Sequence, residues 1–421
     1  SIRVQTEDSG GETFTETFTV NVNDLNETPE ENPFPAELEL SSLDGSNGFT
    51  LNGIDNGHYS GESVSSAGDV NGDGIDDLII GAVGQSSVVF GKSDGFSETV
   101  ELSSLDGSNG FTLNDLSGRS VSNAGDVNGD GIDDLIIGDE YADTNSVVNR
   151  NGESYVVFGK ESGFSETVEL SSLDGSNGFI LNGIDSGDSS GGSVSNAGDV
   201  NEDGIDDLII GARYANPYNS NPDYFSGASY VVFGKESGFS ETVELSSLDG
   251  LNGFTLNGID SGDLSGNSVS SAGDVNGDGI DDLIIGAPSA ERPNGTASGE
   301  SYVVFGKESV FSKTVELSSL DGNNGFTLNG INRSSGYAGT SVSSAGDVNG
   351  DGIDDLIIGA TGVGQSYVVF GKESGFSETV ELSSLDGSNG FTLNGIDERD
   401  FSGISVSSAG DVNGDGIDDL I

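Results

Sequence analysis

Apolar residues along this chain fall in short dense runs divided by Gly, Asn, Asp and Ser, not at helical spacing. The stretch SVSSAGDV beginning at Ser63 alternates apolar with small polar residues, the period of a half-buried strand. The DDLIIGA that follows, with Leu78, Ile79 and Ile80, is a β-rich run ending in Gly, as expected of a strand buried on both faces. YVVFG is aromatic and β-branched and predicts a third strand; FTLNG predicts a fourth, shorter one. The clusters between them have turn chemistry. No segment keeps a 3.6-residue apolar period for three turns, so very little helix is expected.

The pattern repeats. GDVNGDGIDDLI occurs six times with one change, its first Asp being Asp69, Asp126, Asp199, Asp274, Asp347 and Asp411, at spacings of 57, 73, 75, 73 and 64 residues. SYVVFGK or SSVVFGK follows each of the first five copies, and VELSSLDGSNGFTLNG, with small variations, precedes every copy. A four-stranded antiparallel sheet leaves two open edges and cannot bury both faces alone. Radial stacking of such sheets solves this, which predicts an all-β propeller of about six to seven four-stranded blades, the last truncated. A β-solenoid is the alternative, but its rungs are usually far shorter. The units exceed typical WD or kelch blades, and the excess, SETVELSSLDGSNG, reads as an outer connection. The FTLNG at Phe49 precedes the first unit and is a candidate to close the ring as the last blade's outer strand.

Charge narrows the function. The 421 residues hold 72 acids against 13 bases, a formal net charge of −59. That balance disfavours nucleic acid and anionic membrane, which need Lys and Arg, and suits divalent cations. Disordered chains share such charge, but apolar residues (33%) plus 68 glycines are near the globular norm. There is no Cys, so neither disulfide nor thiolate staples hold the fold. No run of 18 apolar residues exists to span a membrane. With Ser1 inside a strand pattern and Ile421 inside an apolar run, the chain reads as a fragment cut at both ends.

The repeated acids have metal-ligand spacing. In the first copy, oxygen-bearing side chains fall at loop positions 1, 3, 5 and 9: Asp69, Asn71, Asp73 and Asp77, with the Ile75 carbonyl at position 7. Calcium takes six to eight oxygens, and a tight loop can aim alternate side chains at one centre. Gly74 supplies the bend, and Asp76 is expected to point away into solvent. The equivalents are Asp126, Asn128, Asp130, Ile132 and Asp134; Asp199, Asn201, Asp203, Ile205 and Asp207; Asp274, Asn276, Asp278, Ile280 and Asp282; Asp347, Asn349, Asp351, Ile353 and Asp355; and Asp411, Asn413, Asp415, Ile417 and Asp419. Glu202 replaces Gly at position 4 of the third copy; that position gives no ligand, so the site is expected to survive.

The competing reading is a plain hairpin turn, since Asn-Gly and Asp-Gly favour turns. A turn does not need acids at 1, 5 and 9 together, and four Asp within nine residues repel one another without a cation. An EF-hand is excluded, because position 12 is Ile80 in a β-rich run where a Glu and a helix are required. Dockerin loops also lead into helices, for which DLIIGA is too short. Six Ca2+ ions carry twelve positive charges and would take −59 to −47. Extracellular calcium modules often bind at about 10⁻⁴–10⁻³ M, so a secreted or surface location is expected.

These residues carry a resemblance. SGESVSSAGDVNGDGIDDLIIGAVGQSSVVFGK looks like the FG-GAP repeat of integrin α-chain propellers, a repeat also common in bacterial surface proteins, and the likeness covers residues 38–421. It implies seven blades and a calcium loop between the first two strands of each. The FG element is here reduced to Ser60-Gly61, and GAP is complete only at Gly286-Ala287-Pro288, which weakens any claim to integrin-type ligand specificity. Residues 1–29 resemble the end of a cadherin-like domain, with strands at Ile2–Thr6 and Phe14–Val22. That likeness implies Asp8, Asp24, Asn26 and Glu27 as interdomain calcium ligands; the alternative is an ordinary strand and acidic linker. Residues 30–37 read as a short stiff hinge.

If the acidic loops lie on one face, the loops between second and third strands lie on the other. Three are long, 139–153, 213–228 and 288–300, and carry Tyr141, Tyr214, Tyr218, Tyr224, Phe225, Arg150, Arg213 and Arg292. Exposed aromatics and Arg suit recognition of a protein or polysaccharide; neutral insertions are the alternative. No catalytic constellation is read: His58 is the only His, and there is neither Cys nor a GxSxG elbow. The expected role is a calcium-binding extracellular adhesion or ligand-binding module, not an enzyme, with an accessory propeller of a secreted hydrolase or a structural spacer as alternatives. Oligomeric state is not legible.

Overall fold

The computed structural model describes residues 39–421 except 56, 143–149, 219–224, 237, 292–296, 332, 334, 374 and 397–399, with backbone alone at 115–117 and in strands Ile2–Glu7 and Thr13–Phe18. Every element among them is a β-strand or a three-residue 3-10 turn, as the apolar pattern predicts. Ile2–Glu7 and Thr13–Phe18 pair antiparallel, Ile2 opposite Phe18. The proposed linker ligands Asp8, Asp24, Asn26 and Glu27 and the hinge at 30–37 lie outside the described residues.

The unit beginning at Ser193 shows the plan. Ser193–Gly198, Asp207–Ala212, Ala228–Val232 and Gly253–Asn257 are its first to fourth strands, each antiparallel to the last. Register is fixed by the pairs Ser195–Ile209, Ile209–Val231 and Val231–Phe254. A fifth strand, Thr314–Glu316, joins the outer edge in parallel, Val315 opposite Leu256, and it comes from the following unit. Four sheets have this five-stranded form, and the unit from Ala338 to Asn394 has four strands.

The long connection is therefore more than a link. Each unit's TVE leaves home, edges the preceding sheet, turns through a 3-10 element such as Leu317–Ser319, and returns as its own unit's fourth strand. Asn257 donates to Glu316 Oε1 at 2.9 Å across this edge; Asn182 to Glu244 and Asn329 to Glu381 do the same at 2.8 Å. The borrowed strand covers an edge that would otherwise present unpaired backbone groups.

The core lies between sheets. Leu208 and Ile210 pack with Ile136, Val156 and Phe179 of the preceding sheet, while Ile209 packs with Leu283, Ile285 and Tyr302 of the next. Both faces of DLIIGA are thus buried, which is why the run is apolar without alternation. First strands of successive units lie side by side, each opening Ser accepting a backbone N–H from the next unit, as Val194 N to Ser120 Oγ at 3.0 Å. Antiparallel sheets packed face to face with first strands innermost form a β-propeller and not a solenoid. Thr50–Asn52 pairs with Thr99–Glu101 alone; it does not edge the sixth unit, where Ser408–Gly410 pairs with Asp419–Leu420.

Phe254 is fully buried and stacks on Phe311 of the next unit at 4.2 Å. Phe254→Ala is expected to cost about 3–5 kcal/mol in chemical unfolding. Asn257→Ala, which removes only the edge bond to Glu316, is expected to cost about 1 kcal/mol. Equal losses would contradict a core placed between blades.

Candidate metal loops

The six acidic loops all join the first strand of a unit to its second. Asp126–Asp134 represents them. Gly125, Gly129 and Gly131 have φ of +71°, +72° and +88°, a region that side chains with a Cβ avoid, so the turn needs glycine there. Asp126 Oδ1 accepts the N–H of Asp130 at 3.0 Å and Oδ2 that of Gly131 at 2.7 Å. Asp130 Oδ1 accepts from Ile132 at 3.0 Å. Asp134 Oδ2 accepts the Val127 N–H at 3.1 Å and Oδ1 that of Gly159 at 2.8 Å, with the Asn128 amide at 3.3 Å from both oxygens. Gly159 is the Gly of FGK, so this motif closes its own unit's loop from the third strand. Gly91, Gly234, Gly306 and Gly371 do likewise for Asp77, Asp207, Asp282 and Asp355.

The ninth-position aspartates are buried in five copies, Asp77, Asp134, Asp207, Asp282 and Asp355, at no more than 1% exposure. Burial, with the charges at positions 5 and 1 adding to it, pushes Asp134 and Asp282 up to about 8 and Asp77 and Asp355 up to about 7. Asp207 is raised well above its ordinary value for the same reasons. A desolvated carboxylate facing two others is unfavourable as an anion unless a cation joins it. Each carboxylate keeps lone pairs beyond its backbone bonds, and an all-oxygen donor set suits a hard divalent cation. Among the described residues, no three Asp, Glu or His side chains lie close enough to hold one ion together as they stand.

Sequence reasoning gathered these residues by spacing. The structure brings positions 3 and 9 into contact in every copy, at 3.2–3.4 Å. Positions 1 and 5 turn inward onto the loop backbone. The position-7 residues Ile75, Ile132, Ile205 and Ile353 are half-buried and Ile280 is buried. Glu202 adopts φ +57° where the other copies have Gly, yet Asp199 keeps its bonds to Asp203 N (3.0 Å) and Gly204 N (2.8 Å). Strain of roughly 1–2 kcal/mol is tolerated there without loss of the loop's hydrogen bonds.

The position-8 residues divide into two environments. Asp76 is exposed, as expected of position 8. Its counterparts are not free: Asp133, Asp206, Asp281, Asp354 and Asp418 are half-buried, and each accepts the backbone N–H of the preceding loop's first Asp. The difference is positional, because no earlier loop stands beside Asp76 among the described residues.

At the other end of the strands, the long loops collect cations and rings. Tyr141 is exposed and lies between the Arg119 and Arg150 guanidinium groups, 5.1 and 5.2 Å from its ring centre. Arg213 pairs with Glu140 at 2.7 Å and covers Tyr214, which meets Phe225 edge-on. Tyr218 donates to Glu316 at 2.7 Å. Tyr224 and Arg292 lie outside the described residues. Arg119 and the exposed Tyr59 were missed in the sequence; both sit in fourth-to-first connections, and the scarcity of Arg was the available signal.

Comparison with known proteins fits this architecture. The FG-GAP repeat profile matches five segments, residues 60–90, 117–157, 190–232, 265–304 and 338–369. It is 29% identical over 274 residues to "Integrin alpha pat-2" of Caenorhabditis elegans, covering 61% of this chain and 19% of that protein. It is 28% identical over 190 residues to "Integrin alpha-4" of Xenopus laevis, covering 45% of this chain and 16% of that protein. Human "Phosphatidylinositol-glycan-specific phospholipase D" matches at 33% over 223 residues, 50% of this chain and 24% of that protein. The chain thus spans about a quarter or less of the relatives it matches.

Asp134→Asn removes the buried charge but keeps one acceptor of two, so the Val127 or the Gly159 N–H loses its partner at a cost of about 1 kcal/mol. With chelator present, it is expected to melt close to the unsubstituted chain, the lost bond offsetting the removed charge; with millimolar Ca2+, it is expected to gain less. A variant gaining fully from Ca2+ would place the ion elsewhere.

Proposed function

We propose that this integrin-alpha-like FG-GAP propeller is a calcium-stabilised extracellular module for adhesion or ligand binding. The observation that carries the reading is the buried aspartate closing each of five loops, on which the charges at positions 5 and 1 also act. Side-chain oxygens at positions 1, 3, 5 and 9, such as Asp126, Asn128, Asp130 and Asp134, with the Ile132 carbonyl, would hold the ion. Calcium there would supply the positive charge that the buried acid lacks and tie the first strand to the second and third. Loops of this composition suit calcium outside cells, where it is plentiful. No helix among the described residues is long and apolar enough to cross a membrane.

The partner is a protein or polysaccharide engaged at the end opposite the loops. Tyr141 with Arg119 and Arg150 supplies an exposed ring and two of the chain's 13 basic residues in one place. The acid excess argues against nucleic acid. Residues 1–29 are read as the tail of a cadherin-like domain. The likeness to a phospholipase D favours a second reading, an accessory propeller beside a hydrolase. Neither reading gives this chain a catalytic residue.

Calorimetric titration with calcium tests the proposal. Binding at about 10⁻⁴–10⁻³ M and a melting temperature several degrees higher in Ca2+ than in EDTA are expected. No heat and an identical melt would contradict it.

A further inference from the structure

The position-8 aspartates lie outside the set that would hold the ion, yet they recur in all six copies. Asp133 Oδ2 accepts the N–H of Asp69 at 2.8 Å, Asp206 that of Asp126 at 2.9 Å, and Asp281 that of Asp199 at 3.0 Å. Asp354 and Asp418 repeat the bond to Asp274 at 2.9 Å and Asp347 at 3.0 Å. Every bond therefore runs from one blade's loop to the first residue of the preceding blade's loop. The Gly before that first residue makes room for it: a Cβ on Gly68, Gly125, Gly198, Gly273 or Gly346 would strike the incoming carboxylate. Gly410, beside which no following loop is described, meets nothing at that position.

A second bond runs the same way. The backbone N–H of Lys160 donates to the Val70 carbonyl at 3.0 Å, and Lys235, Lys307 and Lys372 do so to Val127, Val200 and Val275. Positions 1 and 2 of the first four loops are thus held by the next blade. Position 1 then directs its own carboxylate onto positions 5 and 6, which shapes the loop.

We infer that the position-8 aspartates are positioning residues that set each metal loop from the blade that follows it, so that loop order passes along the ring in one direction. The inference rests on the calcium reading only for its consequence in binding; the hydrogen bond itself is independent of metal. An Asn at position 8 can still accept the N–H, whereas Ala cannot.

Hydrogen exchange with mass spectrometry on the full chain tests this, with and without Ca2+. The second and third loops are separable because SVSNAGDVNGDGIDDL and SVSNAGDVNEDGIDDL differ at Gly129 and Glu202. Asp206→Ala is expected to speed exchange about five- to tenfold in the 126–134 loop and much less in its own loop at 199–207. Asp281→Ala should move the effect to 199–207, and Asp206→Asn should restore slow exchange. Faster exchange only in the mutated residue's own loop, equal change in both loops, or failure of Asn to rescue would overturn the inference. If Asp206→Ala does not fold, Asp206→Asn and Asp281→Ala decide by the same criteria. Exchange that ignores Ca2+ in the unsubstituted chain would count against the calcium reading, and the chelator arm would still judge the positioning bond.

Discussion

The buried aspartate that ends each acidic loop is the interaction on which the rest depends. Asp134 lies at the meeting of three strands: it closes the turn between the first two and receives the Gly159 N–H from the third. The apolar run that buries it also supplies the core between blades. A carboxylate there is costly unless compensated, and backbone N–H groups compensate only part of the charge. The proposed cation would supply the missing compensation at the five loops whose terminal aspartate is buried.

Around that point, each blade is fastened to its neighbours by small repeated contacts. The borrowed TVE strand clips one outer edge, and the Phe111–Phe164 and Phe179–Phe239 stacks, each capped by a Lys, seal the junction below it. Near the centre, Ser63 and its equivalents join the first strands. Position-8 aspartates join the loops. The burial of DLIIGA on both faces makes these polar clips a matter of register more than of gross stability.

Strand content, unit boundaries and the loop residues were legible because they depend on local period and spacing. SVSSAGDV, DDLIIGA and YVVFG form strands where their patterns place them. The borrowed strand was not legible: Thr314–Glu316 has the same sequence as its counterparts at 242–244 and 379–381, so nothing local says which unit it edges. The same degeneracy hid Asp206, whose partner Asp126 sits in a loop identical to most others. Near-identical repeats reveal what pairs with what kind of residue and conceal in which copy. Tyr141 was legible as an exposed ring; its partner Arg119 was not, because it sits in the connection before the first strand and reaches Tyr141 only through the pairing of Ser120 with Gly138.

The proposed function uses the same division. One end of the strands carries the acidic loops, and the other carries Tyr141, Arg119, Arg150 and the Arg213–Glu140 pair. Rigidity at the first end would hold the second in place for a partner. Native mass spectrometry of the chain in calcium counts the bound ions directly. At least five per chain are expected, one for each loop with a buried terminal aspartate. A chain that carries none at millimolar calcium would contradict the calcium reading.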